Sequence, residues 1–273
     1  MRRFAAHGFF RSGHFSVALL VKISYTGIIG QEGKGNVMER LDKLLASTGR
    51  WSRREVKGLV RAGRVLVDGV PAAAPEQKLD PALSQVLVDG EAAVLRKYTY
   101  VMMNKPAGVL SATEDVRQET VLDLLPPELR RQGLFPVGRL DKDSEGLLML
   151  TNDGELAHRL LSPRHHVDKV YYIRTDAPLT EEDRAAFAGG ILLADGTVCR
   201  PAGLELLGDG REALVTLHEG KFHQIKRMIA SRGAAVCRLK RLSMGTLVLD
   251  QTLRPGEFRP LTAEEVSKIG GKL

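Results

Sequence analysis

Cysteine is scarce in this chain. Cys199 and Cys237 are its only two, far apart in sequence and in no Cys-x-x-Cys unit. That excludes a disulfide framework and a thiolate zinc site, and it fits a reducing compartment. Long apolar runs are also missing: no stretch approaches the roughly 20 residues a membrane-spanning helix needs. The paired histidines His165-His166 have no acidic or cysteine partner at a recognisable ligand spacing, so they read as surface side chains and no metal site is expected. No internal repeat and no low-complexity tract stand out. Acid is absent from the start of the chain until Glu32, and Val17 to Val21 is too short an apolar stretch for a signal peptide.

What is present is a chain of 273 residues, 43% hydrophobic and 27% charged, enough for one large domain and one small one. Its net charge of +7 fits a polyanionic partner without selecting one.

From Met38 the texture turns periodic. Leu41, Leu44 and Leu45 fall at i, i+3 and i+4, which predicts a short helix stopped at Gly49. Ser52-Arg53-Arg54-Glu55 is a capping box that opens a second helix, with Val56, Leu59 and Val60 on one face and an end near Gly63. Val65-Leu66-Val67-Asp68-Gly69-Val70 reads as a strand and tight turn, and Val86-Leu87-Val88-Asp89-Gly90 as another. Residues 92–99 read as a linker. Beyond it the pattern predicts strands from Tyr100, before Asp141, at 169–175, 204–207, 213–218, 236–242 and 246–249. Helices are predicted at 120–125, 155–161, 180–187, 222–231 and 262–269, the first stopped by Pro126-Pro127. Strands outnumber helices and several are hairpin-linked, which argues α+β with a largely antiparallel sheet.

One stretch organises this second part. An apolar run ends at Gly138, Arg139-Leu140-Asp141-Lys142-Asp143-Ser144-Glu145 follows, and Gly146-Leu147-Leu148-Met149-Leu150 closes on Asn152-Asp153-Gly154. This is strand, loop, strand. A carboxylate held between rigid flanks is well placed for chemistry, while the plainer alternative is a solvated acidic loop. Spacing alone does not choose among Asp141, Asp143 and Glu145.

Gly138-Arg139-Leu140-Asp141 followed by Ser144-Glu145-Gly146-Leu147-Leu148-Met149-Leu150-Thr151-Asn152-Asp153-Gly154 resembles the catalytic signature of the pseudouridine synthases, more narrowly the bacterial ribosomal small-subunit type A family. Three further stretches match in order: Asn104-Lys105-Pro106-Ala107-Gly108, the run from Ser162 to Tyr171 with its Lys169-Val170-Tyr171, and Glu219-Gly220-Lys221-Phe222-His223-Gln224-Ile225-Lys226-Arg227-Met228. The likeness covers about residues 38–266. The small unit resembles the S4 RNA-binding module.

The resemblance implies a specific set of expectations. The fold is an S4-like domain at 38–95 followed by a catalytic domain at 96–273 with a largely antiparallel mixed sheet and flanking helices. The reaction breaks the ribose C1′–N1 bond of a uridine, turns the uracil and rejoins C1′ to C5. Nothing is added or lost overall, so no cofactor and no metal are expected. One carboxylate suffices, in contrast to the paired carboxylates of glycosidases. By the matched motif it is Asp141, whether as nucleophile or base. Lys226 is the cation that pairs with it, with Arg227 the alternative, since neighbouring helical residues point to different faces. Tyr171 is expected to stack on the flipped uracil, or else to be a core tyrosine. Arg139 is placed to fill the vacated stack, grip a phosphate or serve a structural ion pair. Lys105 would line the entrance or cap a turn, and Lys169 belongs to the RNA-binding set. Arg53, Arg54, Lys57, Arg61 and Arg64 form the phosphate-tracking set of the second helix. The expected partner is rRNA, 16S in preference to 23S, handled by a cytoplasmic monomer. A noncatalytic RNA-binding assembly factor of the same fold is the reading from another class.

Residues 1–37 show no period to bury. Gln31-Glu32-Gly33-Lys34-Gly35 would be encoded by purine-rich codons, as a bacterial ribosome-binding site is. The expectation is a start at or near Met38, with a basic RNA-binding extension the competing reading.

Overall fold

The computed structural model describes residues 38–272 except 82, 94, 96, 97 and 163–166. The N-terminal tract 1–37 and the His165-His166 pair lie outside the described residues.

The first part runs β1 (Glu39–Arg40), α1 (Leu41–Ser47), α2 (Arg53–Arg61), β2 (Val65–Val67), β3 (Val70–Pro71), β4 (Lys78–Leu79), β5 (Val86–Val88) and β6 (Glu91–Ala92). The capping box is formed: Ser52 Oγ accepts from the Glu55 amide and the Glu55 carboxylate accepts from the Ser52 amide. Two hairpins make a sheet ordered β3-β2-β5-β6. Their turns, Asp68-Gly69 and Asp89-Gly90, hold both residues at positive φ, the conformation that matches the strand twist. Leu41, Leu44 and Leu45 of α1 and Val56, Leu59 and Val60 of α2 pack against Val65, Val67, Val86 and Val88.

The second part runs β7 (Tyr100–Lys105), α3 (Pro127–Arg130), β8 (Phe135–Pro136), β9 (Glu145–Thr151), α4 (Gly154–Leu161), β10 (Lys169–Thr175), α5 (Glu181–Gly189), β11 (Ile191–Leu192), β12 (Val198–Cys199), β13 (Gly203–Leu207), β14 (Glu212–Leu217), α6 (Gln224–Ala230), β15 (Val236–Met244), β16 (Leu247–Val248), β17 (Phe258–Pro260) and α7 (Ala263–Lys268). Its main sheet is ordered β13-β14-β10-β15-β9-β7-β17, with β16 on β15 and β8 on β9. Of the pairings, β15 with β9 is parallel and the others are antiparallel, so the α+β class and the mostly antiparallel mixed sheet stand.

The continuous apolar run in β9 has a cause. Leu147 and Met149 pack with Met102, Leu156 of α4 and Val266 of α7 on one face. Leu148 and Leu150 pack with Met103, Val121 and Leu125 on the other. A strand covered on both faces needs apolar residues at every position. The other half of the sheet packs Ile173, Val215 and Leu239 against Phe187 of α5 and Ile225, Met228 and Ile229 of α6.

Two expectations fail. Residues 120–125 are turns, not a helix: Asp123 accepts from the Thr120 amide and hydroxyl, which closes a local loop. The helix begins where a stop was expected, because a proline at the first helical turn, here Pro127, lacks only an amide that would have been unpaired anyway. The helix expected from Phe222 starts at Gln224, because His223 sits in the left-handed region at φ 46. The short strands β11, β12 and β17 were not anticipated.

Candidate active site

The Asp141 loop is fixed through its backbone. Leu140 donates its amide to Ser111 Oγ and accepts from the same hydroxyl, at 3.1 and 2.9 Å. The Gly108 amide donates to Lys142 O at 2.7 Å. Below the loop lies Lys105, 0% exposed, with Nζ within reach of the carbonyls of Pro106 at 3.0 Å, Asp141 at 3.2 Å, Lys142 at 3.2 Å and Ser144 at 2.8 Å. Lys105 therefore does not line an entrance for RNA. It caps the loop, the second of the two roles expected for it. Burial pulls its pKa down to about 8, with the charges of Asp143, Asp141 and Glu145 pulling the other way.

Where the loop re-enters the sheet, Glu145 and Gly146 meet Lys240 and Arg241 in the parallel pairing. Gly146 has φ +101, and a Cβ there would stand 2.3 Å from the Arg241 carbonyl oxygen. The Ser-Glu-Gly of the motif thus needs its glycine for close passage of two backbones. Arg241 itself is buried and donates Nε to Leu147 O at 2.8 Å.

The loop presents Asp141 to α6. Lys226 Nζ lies 3.2 Å from Asp141 Oδ2 and 2.6 Å from Asp143 Oδ1, so one cation bridges two carboxylates. Burial lowers the Lys226 pKa, the bonds to Asp143 and Asp141 outweigh it, and the net shift is upward. The Lys226 hydrogen bond leads the causes that hold Asp143 below the usual carboxylate range. The two acids differ in enclosure: the Asp141 side chain is 28% exposed and that of Asp143 72%. Glu145, the third acid, is taken by Arg238, whose Nη2 lies 2.8 Å from Oε2. Arg227 turns away and pairs with Asp195. His223 Nε2 stands 3.6 Å from Asp141 Oδ1. Tyr171, 8% exposed, belongs to the same buried cluster as Leu140, which precedes Asp141.

A family model described as RNA pseudouridylate synthase matches residues 99–231, and one described as S4 domain matches residues 39–82. The ribosomal small subunit pseudouridine synthase A of Pseudomonas aeruginosa is 41% identical over 232 residues, which are 84% of this chain and 100% of that one. The chain belongs to the RNA pseudouridylate synthases. An uncharacterized RNA pseudouridine synthase of Bacillus subtilis is 50% identical over 230 residues, 83% of this chain and 96% of the relative. A crystal structure of a pseudouridylate synthase, 34% identical, superposes with a TM-score of 0.60 over 84% of this chain and 99% of that one.

The remaining expected residues of this pseudouridylate synthase separate into free and engaged groups. Arg139 is exposed and has no hydrogen-bond or ion-pair partner among the described residues, so it is not a structural ion pair. Lys169 is half-buried and donates to Val167 O at 2.9 Å; burial, then the Arg241 charge, lower its pKa. On α2, Arg53, Arg54 and Arg61 are exposed and unpaired among the described residues. Lys57 lies 3.6 Å from Glu76, and Arg64 makes two 2.7 Å bonds to Asp89. Arg64 is thus committed to closing the hairpin edge rather than left free for phosphate. Sequence reasoning missed Ser111, Arg238 and Arg241 and gave Gly108 no role of its own within its quoted motif. Each acts across long sequence distance, and no local pattern announces that. His223 lay inside a quoted motif without a role.

Proposed function

We propose that this chain converts a specific uridine of 16S rRNA to pseudouridine, with Asp141 as its catalytic carboxylate. The observation that carries the reading is the bridge from Lys226 to Asp141 at 3.2 Å, set on a loop whose backbone is clamped from several sides. Of the three acids in the loop, Asp141 is the one that faces both Lys226 and His223; Glu145 is taken by Arg238 and Asp143 is largely exposed. Lys226 orients the Asp141 carboxylate through their ion pair. Tyr171 offers its ring to the uracil once the target base has left its stack, as a base must to be reached.

The reaction balances without a further reactant. C1′–N1 breaks, C1′–C5 forms, the proton on C5 is lost and N1 gains one. Asp141 serves as nucleophile or as base in that sequence. Arg53, Arg54 and Arg61 on α2 track RNA phosphates, and Arg139 reaches the strand beside the flipped base. Relatives named for the ribosomal small subunit, 38–41% identical, support the 16S target. The same bacterial relatives support work in the cytoplasm.

The test is a map of pseudouridines in 16S and 23S rRNA from cells lacking the protein, complemented with wild type or with Asp141→Asn. One 16S site should vanish and return with wild type alone. A vanished 23S site would move the target, and a site restored by Asp141→Asn would overturn the assignment of the carboxylate.

A further inference from the structure

Phe222 is 71% exposed and is the one aromatic among the strongly exposed large apolar side chains of the described residues. Single exposed apolar residues are common and by themselves mean little. Three further observations set this one apart. Its ring lies parallel to the His223 imidazole, with centroids 3.9 Å apart and planes 17° from each other. His223 holds a left-handed backbone, at φ 46 and ψ 36, which is uncommon for a residue with a Cβ. The other edge of that imidazole faces Asp141, with Nε2 3.6 Å from Oδ1. Asp141, His223 and Phe222 therefore succeed one another outward, with the open face of the phenyl ring at the end.

The segment that presents this pair is braced. Gln224, buried, accepts from the Lys221 amide at 2.9 Å and donates to Glu219 Oε1 at 2.8 Å, tying the turn to itself. Arg227 Nη1 donates to Phe222 O at 3.4 Å. The backbone that carries the exposed ring is thus braced on both sides. Burying a phenylalanine ring would have stabilised the fold. Here the chain forgoes that burial and adopts a strained backbone at the same place.

An apolar ring face beside the catalytic carboxylate fits a flat, apolar, π-faced partner. Resting on the uridine reading above, the partner next to a flipped uridine is the neighbouring nucleobase, which has just lost a stacking face. We infer that Phe222, backed by His223, is the platform on which the base adjacent to the target stacks, and that this contact holds the target nucleotide open in front of Asp141. Every base has a π-face, so the platform selects for an unstacked neighbour rather than for one sequence.

The experiment compares Phe222→Ala, Phe222→Leu and Phe222→Trp in the full chain, by tritium release from 16S rRNA labelled at uridine C5. Loss of one base–aromatic stack should lower kcat/KM about 5- to 150-fold in the alanine and leucine variants. The tryptophan variant should stay within about threefold of wild type, and thermal melting should be unchanged in all three. Leucine keeps the apolar bulk and not the π-face, so it separates stacking from packing. Alanine or leucine at wild-type rates, or tryptophan as poor as alanine, overturns the platform. Failure of the underlying reading is distinct: wild type would then release no tritium from 16S rRNA.

Discussion

Lys105→Met removes one ammonium and keeps most of the side chain's bulk. The ammonium has three N–H donors and four carbonyls around it, those of Pro106, Asp141, Lys142 and Ser144. A buried acceptor left without a donor costs ~1–3 kcal/mol, so emptying three of these bonds costs on the order of 3–9 kcal/mol before the loop relaxes. The charge itself opposes this. Burial holds the Lys105 pKa at about 8 against an ordinary 10.5. At ~1.4 kcal/mol per unit, removing that charge returns about 3 kcal/mol. The difference leaves global stability reduced by roughly 0–6 kcal/mol before the loop relaxes. The loop, however, loses its anchor from below. A misplacement of about 1 Å costs roughly 100-fold in rate, so kcat should fall about that far while cooperative melting survives. Denaturant unfolding supplies a second readout. The folded pKa lies below the unfolded one, so between about pH 8 and 10.5 the unfolded chain holds the extra proton. Wild-type stability relative to the methionine variant should then rise as pH climbs through that window and stay flat below it. A folded Lys105→Met protein that turns over within threefold of wild type would refute the reasoning.

Lys226→Met should lower kcat about 10- to 100-fold, the worth of a hydrogen bond between charged groups. Arg227→Met should cost less than Lys226→Met because its guanidinium reaches Asp195 and the Phe222 carbonyl and not Asp141; steady-state kinetics that reverse this order would exchange the two roles. Gly146→Ala should destabilise by roughly 3 kcal/mol or more, since backbone strain of ~1–3 kcal/mol adds to a Cβ 2.3 Å from the Arg241 carbonyl; an unaltered thermal melt would count against it. Converting Arg53, Arg54 and Arg61 to glutamine should reduce the slope of log binding against log salt by about 2–3, with Arg64→Gln changing it little. Equal effects from Arg64 would show that its bond to Asp89 does not hold it back.

How much of this was legible depends on how local the cause is. The second helix of the first part could be read because Ser52 and Glu55 signal a cap within one turn. The hairpins could be read because Asp-Gly supplies both positive-φ residues. The start of α6 was misread because the left-handed position is filled by His223, where glycine would have marked it. Residues 120–125 have a helix-like composition, but the Asp123 carboxylate closes on Thr120 instead. Strands of two or three residues, such as β11, β12 and β17, are too short to show a period. At the site, Asp141 and Lys226 were visible in motifs, and the divergence of Lys226 from Arg227 followed from helical geometry. The fate of Lys105 was not visible. Nothing in Asn104-Lys105-Pro106 tells that the ammonium meets carbonyls at 141, 142 and 144.

The turn after α1 has a consequence for target choice. Gly49, at φ +75, seats so closely on α3 that a Cβ would fall 1.8 Å from the Glu128 carbonyl oxygen. Arg131 and Gln132 donate to the carbonyls of Gly49 and Thr48 at 3.3 and 3.0 Å. On the roles proposed above for α2 and Asp141, this seat would hold two separate RNA contacts at a fixed span, like a caliper. Once one jaw has closed, the other meets its stretch of RNA at a high effective concentration, provided the span is right. A uridine in the correct local sequence but at the wrong distance from the gripped phosphates gains nothing from the first contact. On that reading, discrimination would come from the folded shape of the RNA, measured as a length.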